Sequence, residues 1–105
     1  SMSWLFLVLA GLLEIFVVAG IRDIASKRYR RGAVVYGLGL STSLYFLYLS
    51  MRTIDVSIAY TAYTGIGVIG TVISGIVLWG DKGGVRKFFY LLLIIASIVA
   101  LKMVG

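Results

Sequence analysis

Four long apolar stretches, separated by short polar stretches, divide the chain. They cover approximately residues 3–21, 33–51, 56–80 and 88–104. Each can cross a bilayer as a helix, since about 20 residues suffice at a rise of about 1.5 Å per residue. None alternates like a barrel strand, and a helix satisfies its own backbone hydrogen bonds in lipid. The pattern predicts an all-α membrane protein, with residues 1–105 forming a single domain of four transmembrane helices.

Composition supports this class and argues against several functions. The chain is 61% hydrophobic, well above a soluble domain. Its net charge of +6 comes from basic residues that flank the apolar stretches, which is typical of membrane helices, so we expect a bilayer and no nucleic acid as partner. Cys and His are absent and only four acids are present. We therefore expect no metal site. No cofactor and no enzymatic activity are predicted either.

The N-terminus lacks the positive region and cleavage site of a signal peptide. We therefore expect the first apolar stretch to be retained in the mature protein. Ser1, which precedes Met2, is interpreted as an expression scar.

The first apolar stretch, Trp4 to Ile21, holds one acid near its middle, Glu14. The other acids, Asp23, Asp55 and Asp81, lie at the ends of apolar stretches. A charge at bilayer depth costs about 3 kcal/mol or more, so such residues are usually functional. A carboxylate there can hold a proton or a cation but not both, which is the minimum chemistry of an exchanger. The alternative is a neutral glutamic acid that hydrogen-bonds a neighbouring helix.

Tyr60, Tyr63 and Gly67 follow the spacing i, i+3 and i+7 and share one face of the third predicted helix. Tyrosine rings attract cations and tyrosine hydroxyls can bond a carboxylate, although packing or interfacial anchoring would also explain them. Gly65 and Gly67 are candidates for a hinge or for close packing. Ser43 of the second helix fits packing first, and its hydroxyl can also donate to a carboxylate.

Four spans, a lone Glu14 in the first and the segment IAYTAYTGIG (Ile58 to Gly67) resemble the small multidrug resistance family of bacterial exporters. The resemblance implies an antiparallel dimer of four-helix subunits that exchanges protons for small cations. It makes Glu14 the shared proton and substrate site, Tyr60 the tyrosine beside it and Ser43 a nearby hydroxyl. We accordingly expect the Tyr60 hydroxyl to bond Glu14, and Tyr63 to contribute its ring rather than its hydroxyl.

The same resemblance assigns Gly65 and Gly67 to a kink in the third helix. It makes the fourth helix the main dimer contact, where Ala96 and Ala100 form a small-xxx-small pair.

Three positions depart from the family's usual pattern. Tyr63 stands where Trp is usual, Asp55 stands where Pro is usual, and Val17 stands where the guanidinium-exporting subtype typically has Trp. These departures favour small or hydrophobic organic cations in general (quaternary ammonium, polyamine or guanidinyl) over a homodimeric guanidinium-type exporter. The stretch from Thr53 to Tyr60 resembles members encoded as unequal pairs. A non-transporting membrane subunit that supports a partner is a further alternative.

The basic residues are distributed unevenly between the two sides of the predicted bundle. Of the ten Lys and Arg residues, eight lie in the first and third loops, whereas Arg52 and Lys102 lie on the side of the termini. Short basic loops stay in the cytoplasm, so we expect both termini outside the bacterial inner membrane. Such a bias predicts a single orientation, and hence a heterodimer with a related subunit of opposite bias rather than an antiparallel homodimer.

Overall fold

The computed structural model describes residues 2–105; Ser1, the residue interpreted as an expression scar, lies outside the described residues. Four helices, and no strand among these residues, make up the fold: α1 (Met2–Ala25), α2 (Tyr29–Met51), α3 (Val56–Trp79) and α4 (Val85–Val104). Each is long and apolar enough to cross a membrane, which confirms the predicted four-helix membrane protein. α1 and α2 run several residues beyond their apolar stretches, because charged residues at a helix end lie outside the lipid and need not interrupt the helix.

Helix α1 lies at the centre of the bundle. It packs along α2 and α3, which touch each other much less. α4 packs its backbone against α3 alone. The buried core residues come from the first three helices; they are Leu7, Ala10, Leu47, Ala59, Ala62 and Tyr63. This arrangement leaves a gap between α2 and α3 over the middle of α1.

Glycines bring α1 unusually close to its neighbours. A Cβ atom at Gly11 would lie 2.6 Å from the Cβ of Ile66 on α3. A Cβ atom at Gly20 would lie 2.6 Å from the backbone nitrogen of Tyr36 and 2.8 Å from the carbonyl oxygen of Gly32, both on α2. These distances are shorter than real Cβ contacts, so even alanine would force the helices apart. Close packing was predicted for glycines of α3 and not for Gly11 or Gly20 of α1.

The loops and termini meet at two opposite ends of the bundle. At one end the hydroxyls of Ser3 and Thr53 are hydrogen-bonded, and Lys102 Nζ lies 5.7 Å from the centre of the Trp4 ring. At the other end Arg22, after the apolar part of α1, forms an ion pair with Asp81 in the third loop, at 2.6 Å. We call the second the basic end, because the first and third loops meet there.

Candidate functional site

Glu14 lies in the middle of α1, is partly buried, and lines a cavity of about 510 Å³ in the gap between α2 and α3. The other lining residues come from α2 and α3; they are Leu40, Leu44, Tyr60, Tyr63, Thr64, Gly67, Val68, Thr71 and Val72. Glu14 is the one carboxylate among these lining residues. The cavity therefore combines mostly apolar walls, a few hydroxyls and a single acid.

Two hydroxyls converge on one oxygen of Glu14. Tyr63 Oη donates to Glu14 Oε1 at 2.5 Å, and Ser43 Oγ lies 3.2 Å from the same oxygen. Ser43 Oγ also lies 3.1 Å from Tyr63 Oη and 2.8 Å from the carbonyl oxygen of Ala10. A serine hydroxyl has one proton to donate, so Ser43 can turn between the Ala10 carbonyl and the carboxylate. Its side chain is fully buried, which keeps water from competing for that proton.

The prediction that the Tyr60 hydroxyl bonds Glu14, with Tyr63 contributing only its ring, is wrong. Tyr63, and not Tyr60, supplies the hydroxyl that bonds Glu14. Tyr63 is only 7% exposed, whereas Tyr60 is 57% exposed and lines the same cavity with its ring 5.9 Å from that of Tyr63. Tyr63 precedes Gly67 by one helical turn, and a Cβ at Gly67 would lie 3.4 Å from Glu14 Cγ, so that face of α3 is the one pressed against α1.

Two cavity hydroxyls were missed by sequence reasoning. Thr64 and Thr71 continue the face of Tyr60 and Gly67 at i+4 and i+11 from Tyr60, and both line the cavity. The spacing was therefore a usable signal. Leu40 and Leu44 of α2 carried no such signal, since an apolar residue in an apolar helix does not indicate which face it occupies.

Two departures from the family pattern have local structural roles. Asp55 caps the N-terminus of α3, where its carboxylate accepts hydrogen bonds from Ser57 Oγ at 2.5 Å and from Ser57 N at 3.2 Å. These hydrogen bonds lower the pKa of the Asp55 carboxyl. Val17 of α1 is buried, at a point where α1 and α2 pack so closely that a Cβ at Gly39 of α2 would lie 3.1 Å from its backbone nitrogen.

Of the two candidate hinge glycines, Gly67 lines the cavity beside Glu14, whereas Gly65 faces α4. α3 is a single helix through Gly65 and Gly67, and a Cβ at Gly65 would lie 3.0 Å from the side chain of Ile98 on α4. Ala96 and Ala100 are exposed on α4. The structure gives both glycines a packing role, while the hinge and the dimer contact stay predictions.

A carboxylate on a cavity wall within an apolar helix bundle is typical of small membrane transport proteins. Comparisons with known proteins identify the family. A model described as Small Multidrug Resistance protein matches residues 2–94. The chain therefore belongs to the small multidrug resistance family, which confirms the resemblance seen in the sequence. The chain is thus a transmembrane member of a family of exporters.

Individual relatives align over nearly their full length. The chain is 35% identical to the "Guanidinium exporter" of Escherichia coli O6:H1, over 97% of each chain. It is 33% identical to the "Guanidinium exporter" of Yersinia pseudotuberculosis serotype I, over 97% of this chain and 98% of the relative. It is 31% identical to the "Probable guanidinium efflux system subunit GdnD" of Bacillus licheniformis, over 99% of this chain and 100% of the relative.

Proposed function

We propose that the chain is a subunit of a proton-coupled exporter of small organic cations of the guanidinium type, and that Glu14 binds the proton and the cation in competition. The observation that carries the proposal is the Glu14 carboxylate, held by two hydroxyls on the wall of the cavity. The names of the relatives support the guanidinium type over the broader set of quaternary ammonium, polyamine and guanidinyl cations that the departures at Val17, Asp55 and Tyr63 favoured.

The carboxylate network leaves one oxygen available for a ligand. Oε1 accepts from Tyr63 and lies within reach of Ser43, whereas no side chain within residues 2–105 donates to Oε2. A cation with N–H groups can therefore bond Oε2 and gain a charge-assisted hydrogen bond. Protonation of Glu14 removes the one negative charge in the lining, so proton binding releases the cation.

The remaining walls suit a planar, weakly hydrated cation. Tyr60 and Tyr63 offer ring faces that attract a cation, and a guanidinium group can also stack on them. Thr64 and Thr71 place hydroxyl oxygens in the cavity that can accept N–H hydrogen bonds. A quaternary ammonium ion has no N–H group and would use only the rings and the charge.

Assembly in the bacterial inner membrane is part of the proposal. Both termini face outward, and the subunit works in an antiparallel dimer through α4, with a related subunit of opposite charge bias as the favoured partner. The bias of eight basic residues against two supports a single orientation. The word "subunit" in the name of the Bacillus licheniformis relative supports a paired system. An antiparallel homodimer is the alternative.

A liposome assay tests the function. The purified chain, alone and co-purified with a co-expressed subunit of the same family, is reconstituted with an imposed pH gradient. Uptake of guanidinium, tetramethylammonium and spermidine is then compared. We expect proton-driven guanidinium exchange that Glu14→Gln abolishes. Exchange of tetramethylammonium but not guanidinium would contradict the guanidinium type, and no exchange of any cation in either preparation would favour a non-transporting subunit.

Terminal reporter fusions test the orientation. We expect signal from the outside only, for reporters at both termini of the chain expressed alone. Mixed inside and outside signal, together with transport by the chain alone, would contradict the heterodimer.

A further inference from the structure

A second cavity, of about 360 Å³, lies at the basic end of the bundle, away from Glu14. Three arginines line it: Arg22 near the end of α1, Arg28 immediately before α2, and Arg31 in the first turn of α2. The other lining residues are Asp23, Ala25, Ser26 and Trp79. The proposed cation exchange uses none of these residues.

The charges of this lining are only partly compensated. Arg31 Nε bonds Asp23 Oδ2 at 2.9 Å, and Arg22 Nη2 bonds Asp81 Oδ2 at 2.6 Å. Among residues 2–105, no carboxylate oxygen lies within ion-pair distance of Arg28. Each guanidinium has five N–H donors, so the two paired arginines still have donors to offer. The lining is therefore positive overall.

The fold of the first loop brings these arginines together. Lys27 adopts a left-handed conformation (φ 66°), and the backbone N–H of Arg28 donates to the carbonyl oxygen of Asp23 at 2.9 Å. The chain thus reverses within a few residues, and the end of α1 meets the start of α2. The first turn of α2 has no acidic residue and no side-chain cap, so the positive end of its dipole adds to the same potential.

Trp79 indicates how deep this cavity lies in the membrane. It is the last residue of α3, and Arg22 lies over its ring at 4.5 Å. Tryptophans at the ends of membrane helices sit at the level of the lipid headgroups. Basic pockets between membrane helices at that level bind phospholipid headgroups, because arginine forks match phosphate oxygens.

We propose that this cavity binds the phosphate group of an anionic phospholipid, with Arg28 as the main contact and Arg22 and Arg31 supporting it. A lipid is favoured over free phosphate because the membrane holds headgroups permanently at this depth. The site is distinct from the exchange site and goes beyond the proposed function.

The two tryptophans of the chain, Trp4 and Trp79, lie at opposite ends of the bundle, which makes a direct binding test possible. In detergent, Trp4→Phe leaves Trp79 as the single reporter. Its fluorescence is followed during titration with short-chain phosphatidylglycerol, with phosphatidylcholine of the same chain length, and with inorganic phosphate. Native mass spectrometry counts the bound lipids. We expect saturable binding of phosphatidylglycerol and much weaker binding of phosphatidylcholine.

Arg28→Gln in this background should weaken phosphatidylglycerol binding by about tenfold, because it removes a charge-assisted hydrogen bond. Arg30→Gln is the matched control. It also removes one positive charge, from the first turn of α2, but Arg30 does not line the cavity, so lipid binding should change little. If Arg28→Gln does not fold, Arg28→Lys keeps the charge without the fork and should still weaken binding.

Three results would overturn the proposal. Equal weakening by the Arg28 and Arg30 variants would mean that the loop only attracts anionic surfaces. Equal affinity for phosphatidylcholine would remove the anionic selectivity. Displacement of the lipid by millimolar inorganic phosphate would assign the cavity to a free anion.

Discussion

Helices α1–α3 and helix α4 are all apolar enough to span a membrane, but they differ in how much of their surface is buried in the subunit. Every buried residue in the described part of the chain belongs to α1, α2 or α3, where glycines bring the backbones together. No residue of α4, all of which is described, is buried. In lipid an exposed apolar side chain carries no penalty, so hydropathy predicts that a helix spans the membrane but not what it packs against. Small residues at contact positions supply that missing information.

Glu14→Gln should have the largest effect, because it removes the one charge of the α1–α3 site. We expect loss of proton-coupled exchange and of the pH dependence of cation binding. In the wild type, cation affinity should rise by up to about tenfold per pH unit as the carboxyl loses its proton, since one proton is displaced for each cation bound. Calorimetry over a wide range of pH, from acidic to alkaline, measures this, and a wild-type affinity that is independent of pH throughout that range would refute the competition.

Because no residue of α4 is buried in the subunit, substitutions on α4 should affect assembly without affecting the fold of the subunit. Replacing Ala96 and Ala100 together by Phe should abolish dimerisation and transport, because bulky rings prevent close helix approach. Helix content should be retained, since both positions are exposed in the subunit. Chemical cross-linking in membranes measures association, and Ala33→Phe, at an exposed position on α2, is the control. Full dimerisation of the double variant would mean that α4 faces only lipid.

Gly11→Val tests the tight packing of α1–α3. It should destabilise the bundle by at least about 1–3 kcal/mol, as overpacking does, because the new side chain meets Ile66 and the backbone of Gly67. Gly37→Val is the matched control, since a Cβ there would meet nothing within 4 Å. Thermal unfolding in detergent measures both. Equal unfolding temperatures for the two variants would show that α1 and α3 separate easily. The tight packing that distinguishes α1–α3 from α4 would then be refuted.

The fold could be predicted almost fully from the sequence, the site only in part. Apolar stretches bounded by charged residues predict four helices. A lone acid within such a stretch identifies Glu14 as a site residue without any knowledge of how the helices pack. Which tyrosine bonds Glu14 depends on the rotation of α3 against α1, and that rotation depends on close contacts between the two helices, such as that of Gly11 with Ile66. That contact joins residues 55 positions apart, so local spacing carries no information about it.

The smallest effect distinguishes the two tyrosines inside the α1–α3 site. Tyr63→Phe keeps the ring but removes the hydroxyl that stabilises the charged carboxylate, so cation affinity should fall by about tenfold at constant pH. Tyr60→Phe should change affinity little, because its hydroxyl makes no bond to Glu14, whereas Tyr60→Ala should weaken binding by removing a ring face. Calorimetry with guanidinium compares the three variants. A greater loss for Tyr60→Phe than for Tyr63→Phe would mean that α3 rotates when the cation binds, and that the tight α1–α3 packing is not the state that holds the substrate.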